Sequence, residues 1–314
     1  MLHCLSKTIS FLCVRGIFRA IFCCALVFYS MSDIRGENFR YICSSVGEIK
    51  ECLKQNIGED YKNRDDILYT FDVDDTLIKL NHPLLPYLKE YNEPYEDLLR
   101  KYSRITEMDL RRYLASYVER TELGASEWLK SLTGKKIALT ASPTGECADG
   151  MSMMECRYQE LREKGITFEA TTFNIKEPFD SDEPFKLEEL AYEGQYPTYY
   201  KGILFSLRKS EGSPSKGTVL CTFLEKINYT PKWVVLIDDL KENLKSVQDE
   251  LEKRYPDKIN FIGILYTGAN EPSDDMTGAK NDEPSDDMTE EKFKKDAEKL
   301  FRECYRKFNI PEPE

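Results

Sequence analysis

Three carboxylates crowd into four positions at the end of an uncharged run, where Asp72, Asp74 and Asp75 follow Ile67-Leu-Tyr-Thr-Phe71. Acids this close repel one another and are costly to desolvate unless a cation shares the site or the group stands at a wet edge. The same device returns in Trp233-Val-Val-Leu-Ile-Asp238-Asp239. One cation held between two strand ends accounts for both acid pairs. Hard oxygen donors with neither histidine nor thiol beside them suit magnesium. Taken alone, Asp-x-Asp reads equally well as the acidic N-cap of a helix.

Two further side chains carry chemistry. Thr140 closes the short apolar run Ile137-Ala-Leu with a hydroxyl, which in isolation is also an ordinary turn residue. Lys216 opens a helix marked by Val219, Leu220, Phe223, Leu224 and Ile227, which ends before Pro231. A helix N-terminus disfavours a cation, so Lys216 there wants an anionic partner. Among 44 basic residues it also reads as a solvated charge.

The elements that must position these residues follow from hydropathy. Ile67–Phe71, Ile137–Thr140, Trp233–Ile237 and Phe261–Thr267 have the make-up of strands buried on both faces of a parallel sheet, and helical stretches alternate with them. That is an α/β pattern, and such sheets bind ligands at their carboxyl edge. Glu37–Asn56 carries Phe39, Ile42, Cys43, Val46, Ile49 and Cys52 at helical spacing, within an N-terminal segment covering 33–66. Lys79–Leu132 reads as a polar helical insert, with Leu110, Tyr113, Leu114, Tyr117 and Val118 on one face of a helix over Met108–Arg120, placed to cover the strand ends. Met154–Lys164 is helical and stops at Gly165. The tyrosines at 192, 196, 199 and 200 read as half-buried packing. After Asp239, Leu240, Leu244, Val247 and Leu251 mark another helix. Within 268–290, Glu-Pro-Ser-Asp-Asp-Met-Thr occurs twice at a twelve-residue interval, as a solvated acidic loop, and Glu290–Phe308 closes the chain as an amphipathic helix.

Composition narrows the class. A chain of 314 residues, 41% hydrophobic and 12% aromatic, has enough apolar surface for a sizeable core. Net charge is −12, which argues against nucleic acid or an anionic membrane surface as the main partner. Residues 1–32 carry Lys7, Arg15 and Arg19, no acid, and an apolar run from Ala20 to the small residues Ser30-Met-Ser32, the pattern of a signal peptide that is cleaved on export. That run falls short of the roughly 20 apolar residues that span a bilayer, so no permanent span is expected. If Met31 is the start, the protein is cytoplasmic. Four of ten cysteines lie in the leader; the other six lack Cys-x-x-Cys spacing, which excludes a zinc ribbon and leaves both disulfides and buried thiols open. With only His3 and His82, histidine-based catalysis is excluded.

Phe71-Asp72-Val-Asp74-Asp75-Thr-Leu77, Ile137-Ala-Leu-Thr140, Lys216, and Ile237-Asp238-Asp239 with Asn243 four residues on resemble, in that order, the four motifs of the haloacid dehalogenase superfamily of phosphohydrolases. The match spans Asp66–Tyr266. Tyr200-Lys201-Gly202-Ile-Leu-Phe-Ser and the leader are similar to an uncharacterised bacterial branch, a domain of unknown function. The resemblance implies a Rossmann-like core over 67–78 and 133–314 with a central parallel sheet flanked by helices, and a small helical cap at 79–132. It further implies a Mg2+-dependent phosphatase acting on a small phosphorylated substrate. In that scheme Asp72 is the nucleophile and forms an aspartyl-phosphate. Asp74 is the general acid and base, and its backbone carbonyl helps hold the metal. Thr140 binds phosphoryl oxygens, Lys216 pairs with Asp72 and the phosphate, Asp238 orients Lys216, Asp239 completes the metal shell ahead of Asp238, and Asn243 supports it from behind. Thr140-Ala-Ser-Pro departs from the pattern in lacking the charged residues that often follow that hydroxyl.

Other readings use some of the same residues. A metal-dependent glycosyltransferase needs Asp-x-Asp but neither Lys216 nor a second acid pair. A phosphorylatable receiver domain has its lysine after the acids, whereas here Lys216 precedes Asp238. A non-catalytic binding module at an envelope or host surface would retain every polar part and lose only the geometry.

Overall fold

A computed structural model describes residues 41–87, 91–168, 173, 183–207, 210–270, 288–311 and 313. The expected leader and both copies of the acidic repeat lie outside the described residues, apart from the final Met288-Thr289 of the second copy. The elements run β1 (Tyr41–Cys43), α1 (Val46–Ile57), β2 (Ile67–Phe71), β3 (Ile78–Leu80), α2 (Asn92–Lys101), α3 (Glu107–Tyr113), β4 (Val118–Arg120), α4 (Ala125–Ser131), β5 (Lys135–Thr140), α5 (Met153–Glu163), β6 (Phe185–Lys186), β7 (Thr198–Tyr200), β8 (Ile203–Phe205), α6 (Lys216–Lys226), β9 (Trp233–Asp238), α7 (Lys241–Arg254), β10 (Asn260–Tyr266) and α8 (Glu290–Lys307).

The apolar runs form one sheet in the order β1-β10-β9-β2-β5-β8-β7-β6. Neighbours from β1 across to β8 are parallel, and β7 and β6 finish that edge antiparallel. Every residue of β2 is buried, as expected of a central strand covered on both faces. Alternate side chains divide between two layers. Ile67, Tyr69 and Phe71 pack with α1, α4 and α5, whereas Leu68 joins Leu139, Leu236 and the apolar faces of α6 and α7. The helices on both faces of a mostly parallel sheet make this an α/β protein. Chain order reverses at β2, which lies between β9 and β5, so the central crevice opens at its carboxyl end.

Several sequence expectations need correction. Of the helix expected over Glu37–Asn56, residues 37–40 lie outside the described residues and the remainder begins at Val46: Ser45 caps it, accepting the Glu48 N–H at 3.2 Å, and Tyr41–Cys43 pairs with β10 as an edge strand. Three apolar residues in a row satisfy either period, and the vacant sheet edge decides. The helix expected over Met108–Arg120 ends at Tyr113, and Val118–Arg120 pairs antiparallel with β3, so the insert has a β stem. The insert boundary shifts as well. Trp128 of α4 meets the Phe71 ring edge-on at 5.6 Å and belongs to the sheet-bearing core. Conversely α8, expected with the core, packs on the insert: Phe293, Phe301 and Tyr305 join Tyr95, Leu98 and Tyr102, with Tyr102 stacked on Phe301 at 5.3 Å. Its apolar stripe had to bury somewhere, and both faces of the sheet were already covered. Among the described residues no helix is long and apolar enough to cross a membrane.

Candidate active site

Register brings the two acid pairs together. β2 and β9 are neighbours with Phe71 opposite Ile237, and the Asp72 N–H donates to the Ile237 carbonyl at 2.9 Å, which sets Asp72 beside Asp238. β5 lies on the other side of β2 with Ala138 opposite Phe71, so Thr140 comes level with Val73. The turn after β2 is tight: Asp75 adopts a left-handed φ of 57°, and Leu77 and Ile78 both donate to the Val73 carbonyl. Asp is among the few non-glycine residues that tolerate this conformation.

Lys216 joins the strand ends. It starts α6, whose cap is the Ser215 hydroxyl accepting the Thr218 N–H at 3.1 Å. Gly217 lets α6 approach α7 closely, since a Cβ there would meet the Ser246 carbonyl oxygen at 1.9 Å. From this anchor Lys216 Nζ donates to Asp72 Oδ1 at 2.5 Å and to Asp238 Oδ2 at 2.8 Å, and all three side chains are buried. Burial on its own would strip the ammonium of its proton, but Asp238 and Asp72 outweigh it and hold Lys216 charged, its pKa raised.

The second pair divides its labour. Asp238 Oδ1 accepts the Leu240 N–H and the Asn243 amide, both at 2.9 Å, so with Lys216 its oxygens are committed. Asn243 thus braces Asp238, not Asp239. Asp239 makes no hydrogen bond or ion pair among the described residues. Burial, together with repulsion from Asp72, Asp238 and Asp75, pushes its carboxyl up to about 10. Asp72, Asp238 and Asp239 each place a carboxylate oxygen within 4.8 Å of the others. A divalent cation fits this donor set: the oxygens are hard, and the crowding that forces a proton onto Asp239 is what a cation in its place would relieve.

Asp74 stands apart from Asp72 in its company. Arg157 of α5 grips it with two bonds of 3.0 Å, and Arg111 of α3 reaches Oδ1 at 2.9 Å. Burial would raise its pKa, but Arg111 and Arg157 overcome this and hold the carboxyl below the usual range. Glu160 pairs with both arginines, at 2.6 Å to Arg157 and 3.2 Å to Arg111. Ser142 accepts from Arg157 at 2.8 Å and contacts the Thr140 hydroxyl at 3.1 Å. A charge therefore does stand beside Thr140, although none follows it in the sequence.

The structure thus brings together Asp72, Asp238, Asp239 and Lys216, with Thr140 on the adjoining strand and Asp74 on the same turn. Asp238, one of the expected metal ligands, also accepts from Lys216, Leu240 and Asn243 while keeping a carboxylate oxygen within 4.8 Å of those of Asp72 and Asp239. Arg111, Arg157, Glu160 and Ser142 went unread. Arg157 had a signal: it lies on the stripe of α5 that carries Met154, Tyr158 and Leu161, where a guanidinium must find a partner. Arg111 had none, because its role depends on α3 docking against α5.

Comparison with known proteins places the chain. A family described as a protein of unknown function (DUF2608) matches residues 43–300. The chain belongs to this family. Matching relatives include an uncharacterised protein of Rickettsia conorii, 24% identical over 73% of this chain and 77% of that one. A second, from Rickettsia felis, is 25% identical over 73% of this chain and 76% of its own. An uncharacterised Rickettsia prowazekii protein is 34% identical over a shorter stretch, 27% of this chain and 26% of that one. No solved structure matches the chain. The DUF2608 region contains every residue of the site described above.

Proposed function

We propose that this protein is a haloacid dehalogenase-type phosphohydrolase that cleaves a phosphomonoester through an aspartyl-phosphate, with magnesium as cofactor. The observation that carries this reading is Lys216 Nζ held between Asp72 and Asp238 at the carboxyl ends of adjacent parallel strands. A buried lysine in that place keeps Oδ1 of Asp72 neutralised and oriented, while Oδ2, which accepts only a long 3.4 Å hydrogen bond from the Thr76 hydroxyl, is the oxygen for in-line attack. A magnesium ion held by Asp72, Asp239 and the Asp74 backbone carbonyl would neutralise charge on the phosphoryl oxygens.

In the first half-reaction an oxygen of Asp72 bonds to phosphorus and the bond to the leaving alcohol oxygen breaks. The Thr140 hydroxyl and the Lys216 ammonium bind equatorial oxygens of the group in transfer. In the second, Asp74 takes a proton from water, which attacks phosphorus and releases Asp72. Asp74 enters as an anion because Arg111 and Arg157 hold it so. To serve the leaving oxygen it must first take up a proton from solvent, which requires the Arg111 contact to slacken, and it then passes that proton to the departing alcohol; α3, which carries Arg111, belongs to the insert beside the strand ends.

The test is direct. The chain from residue 33 onward, incubated with p-nitrophenyl phosphate and Mg2+, should release nitrophenol, and Asp72→Asn should lower the rate on the order of 10³-fold or more. Equal rates for the two proteins would end the proposal.

A further inference from the structure

Outside the acid site, the loop after β5 holds two thiols that no step above uses. Cys147 sits in a turn closed by its own N–H donating to the Met151 carbonyl at 2.8 Å, and Cys156 is in α5. Their sulfurs are 3.3 Å apart and buried under Met108 of α3 and Met153. A disulfide needs about 2.05 Å, so little more than a side-chain rotation separates contact from bond.

We propose that Cys147 and Cys156 are disulfide partners, closed as the chain folds by exchange with a small-molecule or protein disulfide. A metal at this spot is the rival, since Asp109 and Asp149 lie close to Cys147. Their oxygens are already taken. Asp109 accepts from the Thr106 N–H at 2.8 Å, the Thr106 hydroxyl at 2.6 Å and the Ala148 N–H at 3.1 Å. Asp149 is gripped by both terminal nitrogens of Arg112, at 3.0 and 2.9 Å. A cation would have to break charged hydrogen bonds at both acids, whereas the thiols have only each other.

The exchange balances. The Cys156 thiolate attacks one sulfur of the oxidant and expels the other as a thiolate. The Cys147 thiolate then attacks Cys156 in the mixed disulfide and releases the second oxidant thiol. Two electrons pass to the oxidant and two protons leave the cysteines. Cys156 is the better attacker, because the hydrogen bond from Cys147 lowers its pKa against the effect of burial. Since both sulfurs are buried in the folded chain, the bond closes before α3 docks over it. Its product ties the loop to α5 immediately before Arg157, the residue that grips Asp74.

The full chain, made in an oxidising compartment, is denatured without reductant, alkylated, and cut with trypsin and a glutamate-specific protease. Glu155 lies between the two cysteines, so a link between them appears as two joined peptides that separate with dithiothreitol. Joined peptides, with Cys221 and Cys304 alkylated, are the expected result. Alkylation of both Cys147 and Cys156, or linkage of either to a different cysteine, overturns the proposal. A second measurement covers any ambiguity in the digest: dithiothreitol should lower the melting temperature of the wild-type chain on the order of 5 °C and leave Cys147→Ser/Cys156→Ser unmoved. Equal responses would also overturn it.

Discussion

The two strand ends carry the same motif and treat it oppositely. At the end of β2 the first two acids have cations: Asp72 has Lys216, and Asp74 has Arg157 and Arg111. At the end of β9 Asp238 shares Lys216, while Asp239 forms no ion pair among the described residues and the more distant Lys216 does not offset its burial. Four carboxylates in similar sequence settings therefore come to four different electrostatic states. What separates them is which helix faces them. α5 and α3 bring guanidinium groups to the β2 end, and α6 brings one ammonium between the ends. The site thus has a fixed, compensated half and an open half, and the proposed magnesium ion would enter at the open half.

Removing the shared cation should break this comparison most severely. Lys216→Met leaves Asp72 and Asp238 buried without a counter-charge, and losing one partner of a buried pair costs about 3–5 kcal/mol. Urea unfolding should show a midpoint lowered accordingly with the slope unchanged. A midpoint equal to wild type would mean that the strand ends do not share Lys216.

Asp239→Asn tests the open half. A carboxyl held up at about 10 in the folded chain and near 4 in the unfolded one binds more protons when folded between those values. Stability of the metal-free protein therefore falls as pH rises through that window, and the asparagine variant escapes the loss. In EDTA at pH 8 it should melt a few degrees higher than wild type, each kcal/mol being worth about 2–4 °C. Magnesium should raise the melting temperature of wild type and not of Asp239→Asn. Because protons compete with the ion for Asp239, the magnesium concentration needed should increase as pH is lowered. A variant that melts lower in EDTA and still responds to magnesium would place the cation elsewhere.

How much of this was legible in the sequence follows from range. The strands and their acids could be read because a buried parallel strand ending in carboxylates is a local pattern. Thr140 and Lys216 could be read from their places at the end of a strand and the start of a helix. The partition of roles could not. Whether Asp238 or Asp239 is left without hydrogen-bond donors turns on α7 offering the Leu240 N–H and Asn243 to one of them. The clamp on Asp74 needs Arg111 and Arg157, brought together only when α3 packs on α5. The place of α8 was hidden for the same reason: its stripe of Phe293, Phe301 and Tyr305 announces an amphipathic helix but not its partner.

The smallest effect expected is also the most specific, and it concerns Arg111. Arg157 binds Asp74 through two bonds from within the core layer, so Arg157→Gln disturbs packing, Ser142 and Asp74 together. Arg111 makes one contact to Asp74 from the insert and is the separable half of the clamp. Removing its charge leaves Asp74 paired with Arg157 but less strongly, so the carboxyl rises toward its ordinary value. If Asp74 is the base that accepts a proton from water, the acid limb of kcat against pH should move upward in Arg111→Gln. The rate on the alkaline side of the limb should stay within a few-fold of wild type. Arg111→Lys should restore part of the shift, since it returns the charge without the fork. A limb that stays in place while the rate falls uniformly would show Arg111 holding the insert in position rather than setting the charge on Asp74.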